Sequence, residues 1–263
     1  MKGPTRCLGL AAVAAFILAS SPVLAQKSGG VLKIQHMDNP PSASILEEAT
    51  FSTAMPFMAL YNNLVIFDQH VARNSLESVV PELATSWTWS ADGKALSFKL
   101  RQGVKWHDGK PFTAKDVACT VDMLIDPDKL RRNPRASWWG NLEKATVEGD
   151  FDVTIHLKRR QPALPALLAS GYSPIYPCHV PTADMRRKPV GTGPFKLAEF
   201  KMNEGIKLVK NTDYWKPGRP YLDGIEYTII PDRSTRMLSF ISAKFDMTLP
   251  VDVTVPLLKT IAK

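Results

Sequence analysis

The sequence predicts a mixed α/β protein of the α+β kind, and three observations predict it. Apolar residues alternate with polar ones on both sides of a glycine-containing turn in one hairpin, and two further strand pairs follow. Capped amphipathic helices stand between those places. Strands and helices do not alternate strictly, as they would in a wholly parallel sheet. Of the 263 residues, 44% are hydrophobic and 22% charged, which is ordinary for a folded domain and argues against disorder; the 21 prolines favour loops and strand ends over a helical bundle.

In chain order, Lys2 and Arg6 precede an apolar run from Leu8 to Ala19, and Val23-Leu24-Ala25 places small residues where a signal peptidase reads them. This is the layout of a secretory signal peptide, residues 1–25, cleaved after Ala25. The run is shorter than the ~20 residues that span a bilayer. Val31-Leu32-Lys33-Ile34 is a short first strand, and Met55 to Leu64 reads as a helix running into the apolar strand Leu64-Val65-Ile66-Phe67.

Trp87 and Trp89 alternate with polar residues, Asp92-Gly93 turns, and Leu96, Phe98 and Leu100 alternate again, which is a β-hairpin with one buried face. Thr113 and Asp116 have capping-box spacing ahead of a helix whose Val117, Val121, Leu124 and Ile125 share a face. A second hairpin turns at Gly149-Asp150 and continues through Phe151, Val153, Ile155 and Leu157. A third pairs Phe195–Phe200 with Ile206–Val209; Ile225, Tyr227 and Ile229 form a further strand. Asp232 or Ser234 caps a last helix lined by Met237, Leu238 and Ile241.

Charge and cysteine usage narrow the function classes. After removal of Lys2 and Arg6 the chain carries 31 basic against 25 acidic residues, an excess of +6. The cations are scattered apart from Lys158-Arg159-Arg160 and Arg186-Arg187-Lys188, so they read as solvated surface and no nucleic-acid partner is expected. Cys119 and Cys178 remain after export; they either close a disulfide or stay as two buried thiols.

Enzyme and metal signatures fail one by one. His107-Asp108-Gly109 has the ingredients of an oriented general base, but it sits between a hairpin and a capped helix, where Asp and Gly are turn residues. The five histidines are dispersed, with no i, i+4 pair. Gly191-Thr192-Gly193 lacks the third glycine of a dinucleotide loop, since Lys196 stands there, and no phosphate loop or serine elbow is present. No catalytic residue, metal site or cofactor is expected.

Longer motifs carry a resemblance. Pro81-Glu82-Leu83-Ala84-Thr85-Ser86-Trp87, the run from Gly103 through Trp106-His107-Asp108-Gly109-Lys110-Pro111-Phe112-Thr113 to Val117, Gly191-Thr192-Gly193-Pro194-Phe195, Asn211-Thr212-Asp213-Tyr214-Trp215 and Pro231-Asp232-Arg233-Ser234-Thr235-Arg236 occur in this order. Together they resemble the extracytoplasmic solute-binding proteins of family 5, the dipeptide, oligopeptide and nickel type.

The resemblance implies the periplasmic binding component of an ATP-driven importer. Its two lobes would close on a small solute, short peptides first and nickel complexes, opine-like compounds or oligosaccharides otherwise. It implies a peptide or small-molecule ligand, an inner-membrane permease as partner, a monomer and a periplasmic location. Residues 26–45 and 165–263 would form the mixed sheet of the first lobe, and 46–164 an extra subdomain. Family members continue beyond the helix at Thr235–Ala243 into a second lobe. The sequence here stops after Thr254–Lys263, so that lobe is expected to be missing, with a truncated, non-transporting remnant as the alternative. By the same resemblance the solute would meet Met37 and Asp38, Thr53 and Phe57, Trp138 and Trp139, and Ser170 to Tyr172. Flat, rigid tryptophans suit a ligand's apolar parts, while Phe57 and Tyr61 also fit a core.

Overall fold

The computed structural model describes residues 27–256 and 258; the predicted export segment, residues 1–25, lies outside the described residues. Strand β1 (Val31–His36) opens the described chain. The expected helix over Met55–Leu64 takes another form. A single α-turn, α1 (Phe51–Ala54), capped by Thr50, leads into a 3-10 segment, Met55–Leu60. Pro56 has no N–H to continue an α-ladder, and the Leu60 carbonyl accepts instead from the distant Gly193 N–H at 2.9 Å. A tertiary bond thus takes the group that would extend the helix.

Strands β2 (Val65–Phe67) and β3 (Val79–Pro81) form a two-stranded ribbon. The first predicted hairpin is β4 (Ala84–Trp89) with β5 (Ala95–Leu100). Helix α2 (Ala114–Ile125) begins at the predicted box: the Thr113 N–H donates to Asp116 Oδ2 at 2.9 Å. The short α3 (Ala136–Trp139) precedes the second hairpin, β6 (Leu142–Gly149) with β7 (Asp152–Leu157). These strands make one antiparallel sheet in the order β4-β5-β7-β6. Leu96 and Phe98 of β5 lie opposite Ile155 and Val153 of β7, and all four are buried. Each such side chain contributes about 1.5–3 kcal/mol by leaving water. α2 covers this sheet, burying Val117, Val121 and Leu124 against β6 and β7.

After α4 (Leu164–Leu168) come β8 (Phe195–Lys201), β9 (Gly205–Lys210) and β10 (Gly224–Ile229). They join β1 in a second sheet, ordered β1-β10-β9-β8, in which β1 runs parallel to β10 and the other pairs are antiparallel. The sheet that holds β4–β7 is thus drawn entirely from the chain between β1 and β8.

The last helix, α5 (Arg233–Ile241), is capped by Asp232, whose Oδ1 accepts from the Thr235 N–H at 2.8 Å. The chain then returns along the free side of β1. Asp246 N–H donates to Lys33 O at 2.9 Å, Lys33 N–H donates to Asp246 Oδ2 at 2.7 Å, Met247 bridges Ile34 in parallel, and Gln35 Nε2 donates to Thr248 Oγ1 at 2.7 Å. A buried pair, Arg236 with Asp252, fixes the end of this return. No helix among the described residues is long and apolar enough to cross a membrane.

Candidate functional site

Three of the sequence motifs converge on Asn62, which follows the 3-10 segment and is buried. Its side-chain oxygen accepts from the Thr192 hydroxyl at 3.1 Å and from Trp215 Nε1 at 3.2 Å. Its amide nitrogen donates to Glu82 Oε1 at 2.5 Å and to the Tyr214 hydroxyl at 3.2 Å. Lys216 Nζ donates to the other Glu82 oxygen at 2.5 Å. One amide therefore ties the Pro81-Glu82, Gly191-Thr192-Gly193 and Asn211–Trp215 motifs together, and it offers no spare donor or acceptor to a ligand.

The glycines of Gly191-Thr192-Gly193 are demanded by the same packing. A Cβ on Gly191 would lie 1.8 Å from the Leu60 carbonyl oxygen, and one on Gly193 would lie 2.4 Å from the Leu60 carbonyl carbon. The motif is a backbone crossing at Leu60. His107 clamps that crossing. Its Nδ1 accepts from the Gly191 N–H at 3.2 Å, and its Nε2 lies 3.1 Å from the Gly193 carbonyl, to which the Nε2–H tautomer donates. Burial pushes the His107 imidazole down to about 4, so it is neutral at physiological pH. With both nitrogens engaged it has no lone pair free for a substrate proton, in accord with the turn reading.

The segment after α4 is held against α2. Asp116 Oδ1 accepts from the Cys178 N–H at 2.9 Å, and Thr120 Oγ1 accepts from the Tyr176 N–H at 2.9 Å. The Cα atoms of Cys119 and Cys178 lie 5.5 Å apart with their sulfurs in contact, a spacing that a disulfide spans.

Beside the Asn62 network opens a cavity of about 610 Å³. Phe51 and Met58 form one wall, Phe67 with Gln69 and Asn74 another, and the 169–174 loop a third. Asn63 holds that loop in place, donating to Leu168 O at 3.1 Å and Ser170 O at 2.6 Å. Arg135 fixes it from behind, with its guanidinium 4.2 Å from the Tyr172 ring centre and bonded to Ile45 O at 2.6 Å and Glu48 O at 2.7 Å. Asn62 and Glu82 of the network also border the cavity; apolar walls with side-chain amides suit van der Waals contact and hydrogen bonding. No cluster of three or more potential metal ligands exists among the described residues.

Of the residues named from the sequence, Ser170 and Tyr172 line this cavity. Half-buried Trp138 sets its ring edge-on to Tyr172, with centres 6.3 Å apart. Exposed Asp38, one residue after half-buried Met37, accepts from the Ser52 hydroxyl at 2.8 Å and so adjoins the wall that carries Phe51. Thr53 is turned inward, donating to the Thr50 carbonyl at 2.9 Å within the cap of α1. Phe57 is fully buried, edge-on to Phe200 at 5.2 Å, and Trp139 is buried at 2% exposure, so neither offers side-chain surface to a solute. Phe51, Met58, Asn63 and Phe67 were not anticipated, because three segments far apart in sequence meet here and no local pattern marks them.

A family model described as "Bacterial extracellular solute-binding proteins, family 5 Middle" matches residues 78–262. The oligopeptide-binding protein AppA of Bacillus subtilis is 39% identical over 150 residues, 53% of this chain and 27% of AppA. Heme-binding protein A of Haemophilus influenzae is 29% identical over 230 residues, 79% of this chain and 41% of that protein. The structure of AppA in complex with a nonapeptide superposes with a TM-score of 0.78 at 30% identity, covering 90% of this chain and 46% of AppA's. The chain spans less than half the length of these relatives. They are binding proteins, so at the level of the family a non-enzymatic reading holds. With the motif-bearing residues interlocked around one buried asparagine and the family model matching most of the sequence, the chain belongs to the bacterial extracellular solute-binding proteins of family 5.

Proposed function

We propose that this chain is the solute-capturing part of a periplasmic binding protein that serves an ATP-driven importer, and that its solutes are short peptides. Residues 1–25 direct export, and the protein acts as a monomer that delivers its ligand to an inner-membrane permease. Residues 26–45 and 165–263 form the first-lobe sheet subdomain and 46–164 an inserted subdomain; the division of β1 and β8–β10 from β4–β7 between the two sheets supports this. Cys119 and Cys178 form a disulfide in the oxidising periplasm.

The observation that carries the reading is the 610 Å³ cavity, with Phe51, Met58 and Tyr172 for apolar side chains and Asn63, Gln69 and Asn74 around them. Asp38, Ser170 and Trp138 flank it; Met37 adjoins, and Thr53 and Phe57 support its wall from within. AppA's complex with a nonapeptide supports peptides as the first class to try.

The test is thermal unfolding of the exported chain with and without di- to pentapeptides. At a hundredfold excess over Kd, a ligand of the folded state adds about 2.7 kcal/mol, a Tm rise of roughly 5–10 °C for a domain this size. A rise with a nickel complex, an opine-like compound or an oligosaccharide, and none with peptides, would overturn the peptide assignment.

A further inference from the structure

A second cavity, of about 510 Å³, lies at the other end of the inserted sheet, between α3 and the segment that follows β7. Ser137, Trp138, Asn141, Arg159, Arg160 and Gln161 line it, together with Gly140. No carboxylate is among them. Lys158, Arg159 and Arg160 form no ion pair with any acidic group among the described residues. An unpaired cationic run beside a cavity differs from the interspersed surface charge of the rest of the chain.

Gln161 and Arg160 are held by bonds that leave donor hydrogens over, while the Arg159 guanidinium makes no bond among the described residues. Asn141 is the organiser. Its Oδ1 accepts from the Arg159 N–H at 3.1 Å, and its Nδ2 donates to Arg159 O at 2.9 Å and to Gln161 Oε1 at 2.8 Å. With its oxygen engaged, Gln161 keeps an NH₂ that has no protein acceptor among the described residues. Arg160 Nε donates to Asp92 O at 2.6 Å, and its aliphatic stem packs over Gly93, where a Cβ would come within 3.3 Å of its Cγ. Its terminal nitrogens remain free. The neighbouring carboxylate of Asp92 accepts from the Ser90 hydroxyl at 2.6 Å and the Lys94 N–H at 3.0 Å and forms no ion pair with the arginine. Lys158 Nζ is tied back to Gly140 O at 2.9 Å, and Trp138 Nε1 has no protein acceptor among the described residues.

We propose that this cavity is an anion site for a phosphate-bearing group. Two guanidinium groups on consecutive residues offer several N–H donors and two positive charges to the oxygens of a phosphate monoester or diester, more than the two oxygens of a carboxylate would engage. The Gln161 NH₂ and the Ser137 hydroxyl supply neutral donors, and the Trp138 ring gives a flat wall for the group that carries the phosphate. The carrier is either a soluble phosphate ester or the headgroup of an anionic phospholipid, which an exposed cavity on an exported protein would also meet. The site is separate from the proposed solute cavity, although Trp138 stands between the two.

The experiment is isothermal titration of the full chain with inorganic phosphate and with glycerol phosphate at low ionic strength, alongside sedimentation with phosphatidylcholine vesicles with and without phosphatidylglycerol. The test variant is Arg159→Gln with Arg160→Gln, which keeps the packed stem of Arg160. Lys105→Gln with Lys115→Gln removes the same charge elsewhere. The expected result is saturable one-to-one phosphate binding, weakened about tenfold or more by the arginine pair and changed by less than about twofold by the lysine pair. Vesicle retention that requires phosphatidylglycerol and both arginines identifies the headgroup as the source. Phosphate binding without such retention identifies a soluble ester. Absence of both saturable binding and retention, or equal losses in the two double variants, overturns the proposal.

Discussion

Asn62 and Asn63 are adjacent residues that face opposite circumstances. Asn62 faces a closed network in which Glu82, Thr192, Tyr214 and Trp215 satisfy every polar atom of its side chain. Asn63 holds the rim of a cavity where Phe51 stands 51% exposed and Met58 and Tyr172 are half-covered. The closed side gathers three of the motifs that mark the family; of these, Glu82 alone also borders the cavity, with its carboxylate already taken by Asn62 and Lys216. Residues bonded to one another through the core are fixed by the fold, while residues that meet solute are free to follow the solute. The family can therefore be read from the motifs, and the ligand cannot.

The sharpest way to break this contrast is to strike the closed side. Gly191→Ala drives a methyl group into the Leu60 carbonyl oxygen, where backbone and not a flexible side chain must move. The expected loss exceeds about 4 kcal/mol, visible as a failure to accumulate folded protein; a Tm within a few degrees of the wild type would mean that the crossing at Leu60 is far looser than the geometry indicates.

Next is the tie behind the network. Cys119 and Cys178 are 59 residues apart, and closing a loop of that length in the unfolded chain is worth about 3–4 kcal/mol. Replacing both by alanine should lower the denaturant midpoint by a corresponding amount, and adding reductant to the wild type should do the same. Insensitivity to reductant would show that the two thiols are free.

A smaller effect is confined to acid. The folded pKa of His107, about 4, lies below its ordinary value of 6.5 because burial disfavours the imidazolium. The unfolded chain therefore binds more protons between these values. Stability is whole above about pH 6.5 and falls as pH drops toward 4, by up to about 3 kcal/mol. His107→Gln can keep the donor to Gly193 and the acceptor for Gly191 without titrating, so its stability measured at pH 7 and pH 4.5 should change less than the wild type's. A pH dependence as steep as the wild type's would assign the acid sensitivity to other groups.

The open side gives the reverse pattern. Tyr172→Ala removes a half-exposed ring from the cavity and should cost about 1 kcal/mol of stability, yet it should abolish most of the peptide-induced rise in Tm. A large loss of stability with ligand response retained would move Tyr172 from the site to the scaffold.

The same division explains what could be read in advance. The first hairpin was legible because alternation with period two on both sides of a glycine turn has a single interpretation, the second because alternation resumes after Gly149-Asp150, and α2 because Thr113 and Asp116 announce its first turn. The helix expected over Met55–Leu64 was not, because the bond that reshapes it comes from Gly193, more than a hundred residues away. Ser170 and Tyr172 were located by resemblance alone, and Trp138 and Trp139 could not be told apart: identical neighbours, of which the fold buries one in the core and sets the other edge-on to Tyr172. Phe51 and Phe67 carried no signal, since a partly exposed phenylalanine at a cavity wall has the same local pattern as one in a core.

The return of residues 246–248 along β1 has a consequence for how these molecules behave toward one another. A parallel-paired first strand with a bare outer side would offer its unpaired N–H and C=O groups as a template for a neighbouring chain. Here the Lys33–Asp246 bonds and the Ile34–Met247 bridge occupy that side. At the opposite margin, β8 carries Lys196, Glu199 and Lys201 and an irregular register between Leu197 and Glu199, features that deter edge-to-edge addition. The sheet is thus guarded against fibrillar stacking at both margins, by backbone pairing on one and by charge and a bulge on the other, so that two copies of this chain meet without a template for joining their sheets.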